Sequence, residues 1–417
     1  MFPSRKLNEK LFYGWVVVIS TLLIGTVLYG ISGSYGFFFK SIAVEFGMTR
    51  ATTSAIASAN RILAGVISLG AGYALDRYGP RKVIFFMGLF TGLSLLLTSQ
   101  TQSPWQLFIA YSLLLSFGIG AVFVVSTAAV SRWFDRKRGL ALGISGAGAG
   151  LGMVMMAPLA TFLIVNFDWR TAYIVIGLVA WAVILPLSGL LKGEPSDVGA
   201  SIDGRKNDSI EKLSSEQHTR RNPGSLWETF SSRSFWFVCL IWAFFGCCLF
   251  FLFTHLVPHI LDRGFSPGEA ASVASVMGGA AIAGRILMGV ASDKLGRKKV
   301  AASGAFLQFV AMLWMLWAQE LWMFYLFAIV YGFAYSGYAS SMAALISDVF
   351  GLSRIGTIFG ALEVSFGIGA ALGPFIGGLV FDLNGSYHMA FTIIAISMLL
   401  ATFLVSLIEK THSLKSL

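Results

Sequence analysis

The stretch GYALDRYGPRKV, residues 72–83, returns 217 positions later as GVASDKLGRKKV, residues 289–300. Six of the twelve positions are identical, among them Asp76 and Asp293, and two further positions keep a basic residue. At the same offset, glycines at positions 139, 143 and 152 match glycines at 356, 360 and 369. Separate segments that match at one offset indicate that the two halves of the chain arose by duplication.

The chain around this repeat is strongly apolar. Hydrophobic residues make up 56% of the 417 residues and charged residues 12%, whereas a soluble domain has about 25% charged residues. This composition excludes an ordinary soluble enzyme, a disordered chain and a fibrous protein. A helix needs about 20 apolar residues to cross a bilayer. Apolar runs fall at 12–39, 51–75, 83–99, 105–131, 139–165, 171–191, 234–260, 268–292, 300–318, 321–347, 356–381 and 387–408. We call these runs spans 1 to 12.

The long polar stretch 192–233 divides the spans six and six. We therefore predict an N-terminal six-helix bundle at 1–191, a cytoplasmic linker loop at 192–233 and a C-terminal six-helix bundle at 234–417. Parallel repeats of this kind are a known plan of membrane transporters. The expected fold is an all-α membrane protein with twelve transmembrane helices, in two pseudo-symmetric bundles around a central cavity.

The basic residues give the orientation. With both termini in the cytoplasm, 24 of the 30 Lys and Arg residues lie in cytoplasmic segments and four outside. This asymmetry follows the positive-inside rule. It also accounts for the net charge of +10 without a nucleic-acid partner, because these charges face the cytoplasm and anionic lipid. The short outer loops indicate a multi-pass protein of the cell inner membrane.

With this repeated stretch, the chain resembles the major facilitator superfamily, and the resemblance extends over nearly the whole chain. Residues 72–83 and 289–300 look like the signature loops between spans 2 and 3 and between spans 8 and 9. A carboxylate at a helix end can dock on the positive N-terminus of a neighbouring helix. We expect such latches from Asp76 to the start of span 11 and from Asp293 to the start of span 5. Nearby basic residues would complete the cytoplasmic gate: Arg77, Arg81, Lys294 and Arg297.

A second stretch narrows the resemblance. Residues 133–148, WFDRKRGLALGISGAG, are similar to the loop between spans 4 and 5 of monocarboxylate transporters, with oxalate/formate antiporters as a close branch. The sequence Tyr13-Gly14-Trp15 is a weaker match at the start of span 1. The small residues also permit close helix packing. The chain departs from the eukaryotic members at Gly33 and Ala281, where the family carries a lysine and an aspartate.

Arg285 is the first of three unexpected charges inside spans. It lies eight residues before Asp293, roughly 12 Å from the cytoplasmic end of span 8. A charge at such depth is costly and marks a candidate functional site. A guanidinium can bind a carboxylate through two hydrogen bonds. The resemblance implies that Arg285 binds the substrate carboxylate, and a structural ion pair is the alternative.

Glu363 lies at a similar depth in span 11. An isolated carboxylate in an apolar helix is costly to ionise, which makes Glu363 a candidate for proton coupling. The oxalate/formate branch carries a lysine at this position, so the change to Glu363 favours one carboxylate and one proton. A structural pair with Arg285 or Arg61 is the alternative.

Asn60 and Arg61 lie together in span 2. Arg61 is fifteen residues before Asp76, roughly 22 Å from the cytoplasmic end. Because spans 2 and 11 would be neighbours in this fold, Arg61 is expected to meet Glu363 or a substrate. Both residues are therefore candidates for substrate binding.

Aromatic side chains supply the remaining candidates. Tyr331, Tyr335 and Tyr338 share one face of span 10. Tyr335, Tyr331 and Phe123 of span 4 are expected to contact substrate, Tyr335 because it matches an aromatic of the oxalate branch. Tyr29 and Tyr35 are further liners of the cavity. His255 and His259, around Pro258, are expected at the membrane interface, with a pH-sensing or gating role as the alternative.

These patterns predict a secondary active transporter of small monocarboxylates such as lactate and pyruvate. It would work as a monomer by proton-coupled symport, with the two bundles rocking about the site. Organic anion antiport of the oxalate/formate type is the main alternative, and a transporter-like receptor is a second. We find no paired catalytic carboxylates, nucleotide motif or metal-ligand cluster, so we expect no enzyme, no cofactor and no metal.

Overall fold

The computed structural model describes residues 12–134, 138–193, 195, 226–350 and 355–408, which are almost entirely helical. Span 1 consists of Tyr13–Gly33 and Tyr35–Glu45, and spans 2 and 3 together form Arg50–Ser99. Span 4 is built from Pro104–Leu107, the π-helix Phe108–Leu114, Leu115–Ile119 and Val122–Ser131, and span 5 from Arg138–Gly146 and Gly148–Asn166. The other helices are Trp169–Leu190 (span 6), Leu226–Ser231 in the linker, Arg233–Asp262 (span 7), Pro267–Leu295 (span 8), Arg297–Trp314 (span 9), Leu321–Phe350 (span 10), Ile355–Asn384 (span 11) and His388–Leu407 (span 12).

Ten of the described helices are long and apolar enough to cross a membrane by length and composition. Span 9 begins with three consecutive basic residues, and span 2 contains Arg61 and several Ser and Thr residues, so both are more polar. They nevertheless complete the twelve-helix, all-α architecture expected from the sequence. Of the predicted linker, residues 194 and 196–225 lie outside the described part of the chain.

The duplication recurs in the backbone. Gly79 breaks the helix between spans 2 and 3 with a φ of 79°, and Gly296 separates spans 8 and 9 with a φ of 95°. These glycines match at the 217-residue offset of the repeat. Both need a conformation that side chains with a Cβ atom rarely adopt. The repeated stretch therefore encodes the same sharp turn in both halves.

The two bundles meet where span 2 packs against span 11 and where span 5 packs against span 8. The second helix of span 1, Tyr35–Glu45, also packs against span 7. Small residues make these contacts close. A methyl group at Gly150 of span 5 would lie 2.7 Å from the carbonyl oxygen of Gly278 in span 8, and one at Gly36 would lie 2.6 Å from the carbonyl oxygen of Phe253. The small residues thus let helix backbones approach each other directly, as expected in membranes.

Candidate substrate site between the bundles

Arg285 extends from span 8 of the C-terminal bundle to span 5 of the N-terminal bundle. Its Nη1 donates a hydrogen bond to the main-chain oxygen of Gly146. Gly146 leaves room for it, because a methyl group there would collide with the same nitrogen. Among the described residues no carboxylate forms an ion pair with Arg285. Its remaining donors are therefore available to an anion at the bundle interface.

Two tyrosines lie within electrostatic range of Arg285. Tyr29 of span 1 and Tyr335 of span 10 both experience its charge. Tyr335 is 8% exposed, stacks on Tyr331 at 5.5 Å and meets the ring of Phe253 edge-on. One tyrosine from each bundle therefore lies near enough to Arg285 to interact with its charge.

Glu363 lies on the inner face of span 11. Glu363 also interacts electrostatically with Tyr29, which therefore lies near both Glu363 and Arg285. The indole N–H of buried Trp242 approaches the Glu363 carboxyl without reaching hydrogen-bonding geometry. No ion pair to Glu363 occurs within the described residues, and the expected alternative of a pair with Arg285 or Arg61 is not found there.

Arg61 is held by other partners. Its Nη1 donates to Ser32 at 3.0 Å and its Nη2 to the side-chain oxygen of Asn60 at 2.6 Å. The guanidinium also lies 4.4 Å from the ring centre of Phe250 in span 7. Arg61 therefore contacts span 1 and span 7. The sequence did not predict these partners.

Asn60 is fully buried and anchors this arrangement. Its amide donates to the main-chain oxygens of Tyr111 and Ser112 at 3.3 Å and to the Ser116 hydroxyl at 3.0 Å. Two of these acceptors belong to the π-helix of span 4. The widened helical turn there redirects main-chain oxygens toward Asn60. Asn60 thereby orients Arg61 toward the bundle interface.

The other aromatic candidates differ in their surroundings. The Tyr331 hydroxyl is fully buried and lies 3.5 Å from the Cys248 sulfur, whereas Phe123 is 40% exposed. Gly33 packs against Met153 and Phe253, and a methyl group added to it would lie 3.0 Å from Met153 Cε. Ala281 is 2% exposed. Both positions thus lie in packed surroundings, where a longer side chain would require neighbouring side chains to move.

Contacts at the end of the bundles opposite the repeated loops, which we call the outer side, hold the two bundles together. Asp262 of span 7 pairs with Lys40 at 2.6 Å and with Arg50 at 2.7 Å. The Asp382 carboxylate accepts hydrogen bonds from the main-chain N–H groups of Arg50 at 3.0 Å and Ala51 at 2.7 Å. A residue at the end of span 11 thus caps the N-terminus of span 2.

His255 joins the same outer contacts from within the protein. It is fully buried, with its ring nitrogens 3.0 Å from the Tyr387 hydroxyl and 2.8 Å from the Pro374 oxygen. Ser54 of span 2 lies 3.3 Å from the ring. The expectation of a membrane-interface position is therefore wrong for His255 and also for His259, which is 4% exposed. Contacts between the bundles enclose the first of these residues, and aromatic rings surround the second.

Comparisons with known proteins identify the family. The family model for the Major Facilitator Superfamily matches residues 21–286 and 256–416. The chain belongs to the major facilitator superfamily. Monocarboxylate transporter 13 of Rattus norvegicus is 27% identical, covering 91% of this chain and 85% of that protein. Monocarboxylate transporter 11 of Homo sapiens is also 27% identical, with 91% and 79% covered. The expected membership of the monocarboxylate transporter branch is confirmed.

Further relatives support the same fold. The uncharacterised transporter YcxA of Bacillus subtilis is 25% identical over 89% of this chain and 90% of its own. A bacterial homologue of the human lysosomal transporter Spinster, solved inward-facing and occupied, superposes with a TM-score of 0.73. That comparison covers 96% of this chain and 97% of the other at 16% identity. This likeness shows the superfamily fold.

The gate predicted at the repeated loops of this superfamily member is described only in part. The side chains of Asp76 and Asp293 lie outside the described part of the chain, as do the side chains at the first residues of spans 5 and 11, so the two latches remain predictions. Arg297 pairs with Asp348 at 2.6 Å within the C-terminal bundle. The other basic residues of the predicted gate are exposed: Arg77, Arg81 and Lys294. Arg77 donates to Tyr73 at 3.2 Å.

Sequence reasoning missed Trp242, Asp382 and Tyr387. Trp242 gave no signal, because its position toward Glu363 depends on how spans 7 and 11 rotate against each other. The signal for Asp382 was available, since a carboxylate at the outer end of span 11 mirrors the latch predicted on the cytoplasmic side. No group of three or more His, Cys, Asp or Glu side chains that could hold a metal occurs among the described residues.

Proposed function

We propose that this protein is a secondary transporter that carries small monocarboxylates of the lactate and pyruvate class together with a proton. The observation that carries the proposal is the Arg285 guanidinium, which crosses the bundle interface and contacts no described carboxylate. A partly buried cation with free donors inside a membrane span favours an anionic substrate. The names of the relatives agree with this substrate class.

The substrate carboxylate binds the free edge of Arg285, and its carbon body lies against Tyr335. A small acid of this class fits because one charge is neutralised by one guanidinium. Phe123 and Tyr331 border the site as aromatic walls, the second of them from behind Tyr335. Asn60 acts indirectly, by orienting Arg61.

Glu363 is the proton carrier in this mechanism. A carboxyl inside a membrane span, with no ion-pair partner among the described residues, is available to gain and lose a proton during transport. Tyr29 interacts electrostatically with both Glu363 and Arg285, and in this mechanism it connects the proton site with the substrate site. Substrate and proton together make a neutral load, which lowers the cost of closing apolar helices around it.

Alternating access follows from the arrangement of contacts. The outer ties through Asp262 and Asp382 keep the outer side closed while the site communicates with the other side. Opening of the outer side requires these ties to break and the predicted latches of Asp76 and Asp293 to form. In this proposal the protein lies in a bacterial inner membrane with both termini in the cytoplasm. It acts as a monomer.

Uptake by proteoliposomes tests this function. Labelled lactate should accumulate when the outside is more acidic than the inside, and Arg285→Ala should abolish that accumulation. Full accumulation by Arg285→Ala would overturn the role of the guanidinium. Uptake that ignores the pH gradient would overturn the proton coupling.

Organic anion antiport is the second candidate, and Arg61 favours it. A second guanidinium at the bundle interface, near Phe250, would suit a dianion. Counterflow without a pH gradient separates the two functions. An antiporter requires a second acid on the opposite side, whereas a symporter accumulates substrate from the proton gradient alone.

A further inference from the structure

A pocket of about 310 Å³ lies between the start of span 3 and the end of span 6, and none of its lining residues belongs to the proposed substrate site. Basic, aromatic and small residues line it: Arg81, Lys82, Phe85, Phe86, Ser188 and Gly189. A methyl group on Gly189 would meet no atom within 4 Å. The pocket is therefore open above this glycine, at the membrane side on which the basic residues of the chain gather.

Within the part of the chain that the structure describes, no acidic side chain pairs with the two cations of this pocket. Arg81 and Lys82 are both exposed, and neither forms an ion pair or hydrogen bond with the described residues. They are adjacent in sequence, so their charges repel each other. An anion in the pocket would remove this repulsion and give both side chains a partner.

The remaining wall of the pocket is apolar. Phe85 is 42% exposed and Phe86 is 55% exposed, one turn deeper in the membrane-spanning part of span 3. Such rings favour contact with hydrocarbon rather than with water. The pocket thus offers charge at the membrane surface and apolar area below it, which matches a molecule with an anionic head and an acyl chain.

The pseudo-symmetric position in the C-terminal bundle lacks these properties. Lys298, the counterpart of Arg81, donates to the main-chain oxygen of Ile408 at 2.8 Å. Ala302 and Ser303 stand where the other half has Phe85 and Phe86. The duplication therefore provides an internal comparison. In the C-terminal copy the basic side chain is already hydrogen-bonded within the protein, and the aromatic wall is missing.

We propose that the pocket between spans 3 and 6 binds an anionic phospholipid such as phosphatidylglycerol. The phosphate lies between Arg81 and Lys82, and one acyl chain follows Phe85 and Phe86. Basic pockets between transmembrane helices are a general form of lipid headgroup recognition. Because span 3 follows directly from the Gly79 turn, the bound lipid stabilises the loop of the predicted cytoplasmic gate.

Native mass spectrometry of the purified full chain tests this site. Titration with phosphatidylglycerol, phosphatidylcholine and inorganic phosphate compares a charged lipid, a lipid without net charge and the free anion. The variants are Lys82→Gln, which removes one charge, and Gly189→Trp, which fills the pocket. Lys299→Gln is the matched control, because Lys299 is the repeat counterpart of Lys82. Size-exclusion profiles confirm that each variant is folded.

The wild-type protein should retain phosphatidylglycerol in preference to phosphatidylcholine, with little binding of phosphate. Lys82→Gln should weaken retention about fivefold, in line with the usual contribution of one basic residue near a membrane surface. Gly189→Trp should weaken it at least as much, and Lys299→Gln should match the wild type. Equal retention of both lipids, equal binding of free phosphate, or unchanged retention in both pocket variants would overturn the proposal.

Discussion

The Asp382 carboxylate of span 11 accepts hydrogen bonds from the main-chain N–H groups of Arg50 and Ala51, the first residues of span 2. Span 2 belongs to the other bundle, so any separation of the bundles on the outer side has to break this helix cap. A helix cap contributes about 1 kcal/mol. Since Arg50 also pairs with Asp262, helix capping and ion pairing act together at this gate.

Asp382→Ala should therefore shift the protein about fivefold toward outward-open states, because the lost cap stabilises only the closed side. Spin labels at two exposed outer positions, Val44 and Leu383, report the opening as a longer distance in double electron–electron resonance. The three native cysteines are buried, so the labels attach to the introduced ones.

Asp168→Ala is the matched control for this experiment. Asp168 caps span 6 within its own bundle, accepting from the Thr171 main-chain N–H at 2.7 Å. This variant should lose stability but keep the wild-type distance. The hydrogen bond from Thr171 holds the pKa of the Asp168 carboxyl below its ordinary value. Its contribution is thus present at neutral pH and disappears as the pH falls through that lowered pKa. An unchanged distance between the two labels in Asp382→Ala would contradict the role of the Asp382 cap in holding the outer side closed.

Gly146→Ala should disturb Arg285 without removing its charge. The added methyl group would occupy the place of the Arg285 Nη1 atom and displace the guanidinium from the site. We expect about tenfold weaker binding of lactate, measured by isothermal titration calorimetry. In the Arg285→Lys background, which should still bind lactate weakly, the same change should have a much smaller effect, because the lysine side chain has no atom in the place of Nη1. Equal losses in both backgrounds would show that Gly146 acts independently of Arg285.

Tyr335→Phe and Tyr331→Phe should separate binding from packing. The described hydrogen bonds include none from the Tyr335 hydroxyl, so it is available to a substrate, whereas the Tyr331 hydroxyl contacts Cys248. Tyr335→Phe should lower lactate affinity several-fold at unchanged thermal stability. Tyr331→Phe should lower stability by about 1 kcal/mol and leave affinity unchanged. The reverse pattern would mean that Tyr331 is the substrate contact.

Glu363→Gln should separate proton coupling from substrate movement. The amide keeps the shape of the side chain but cannot carry the proton, so accumulation driven by a pH gradient should disappear while exchange of lactate continues. Proteoliposome uptake with and without the gradient measures both. Glu320→Gln is the control, because Glu320 lies exposed outside the spans. Wild-type accumulation by Glu363→Gln would assign the proton to another group.

The sequence predicts the fold well because the repeat, the apolar runs and the basic loops depend on local patterns. It also predicts the depth of Arg285 and Glu363, since helix rise converts residue spacing into distance. The partners of these residues depend on the rotation of each helix against helices of the other bundle. That information is missing from a single helix, and so the partners of Arg61, the position of Trp242 and the burial of His255 were not predicted.

Direct binding of lactate to the purified protein tests the central claim most simply. Isothermal titration calorimetry compares the wild type with Arg285→Lys and Arg285→Ala, with Arg263→Ala as a control at the outer surface. Arg285→Lys should bind at least tenfold more weakly, because an ammonium cannot match a carboxylate with two parallel hydrogen bonds. Arg285→Ala should show no binding, and Arg263→Ala should match the wild type. Wild-type affinity in a folded Arg285→Ala protein would contradict the account.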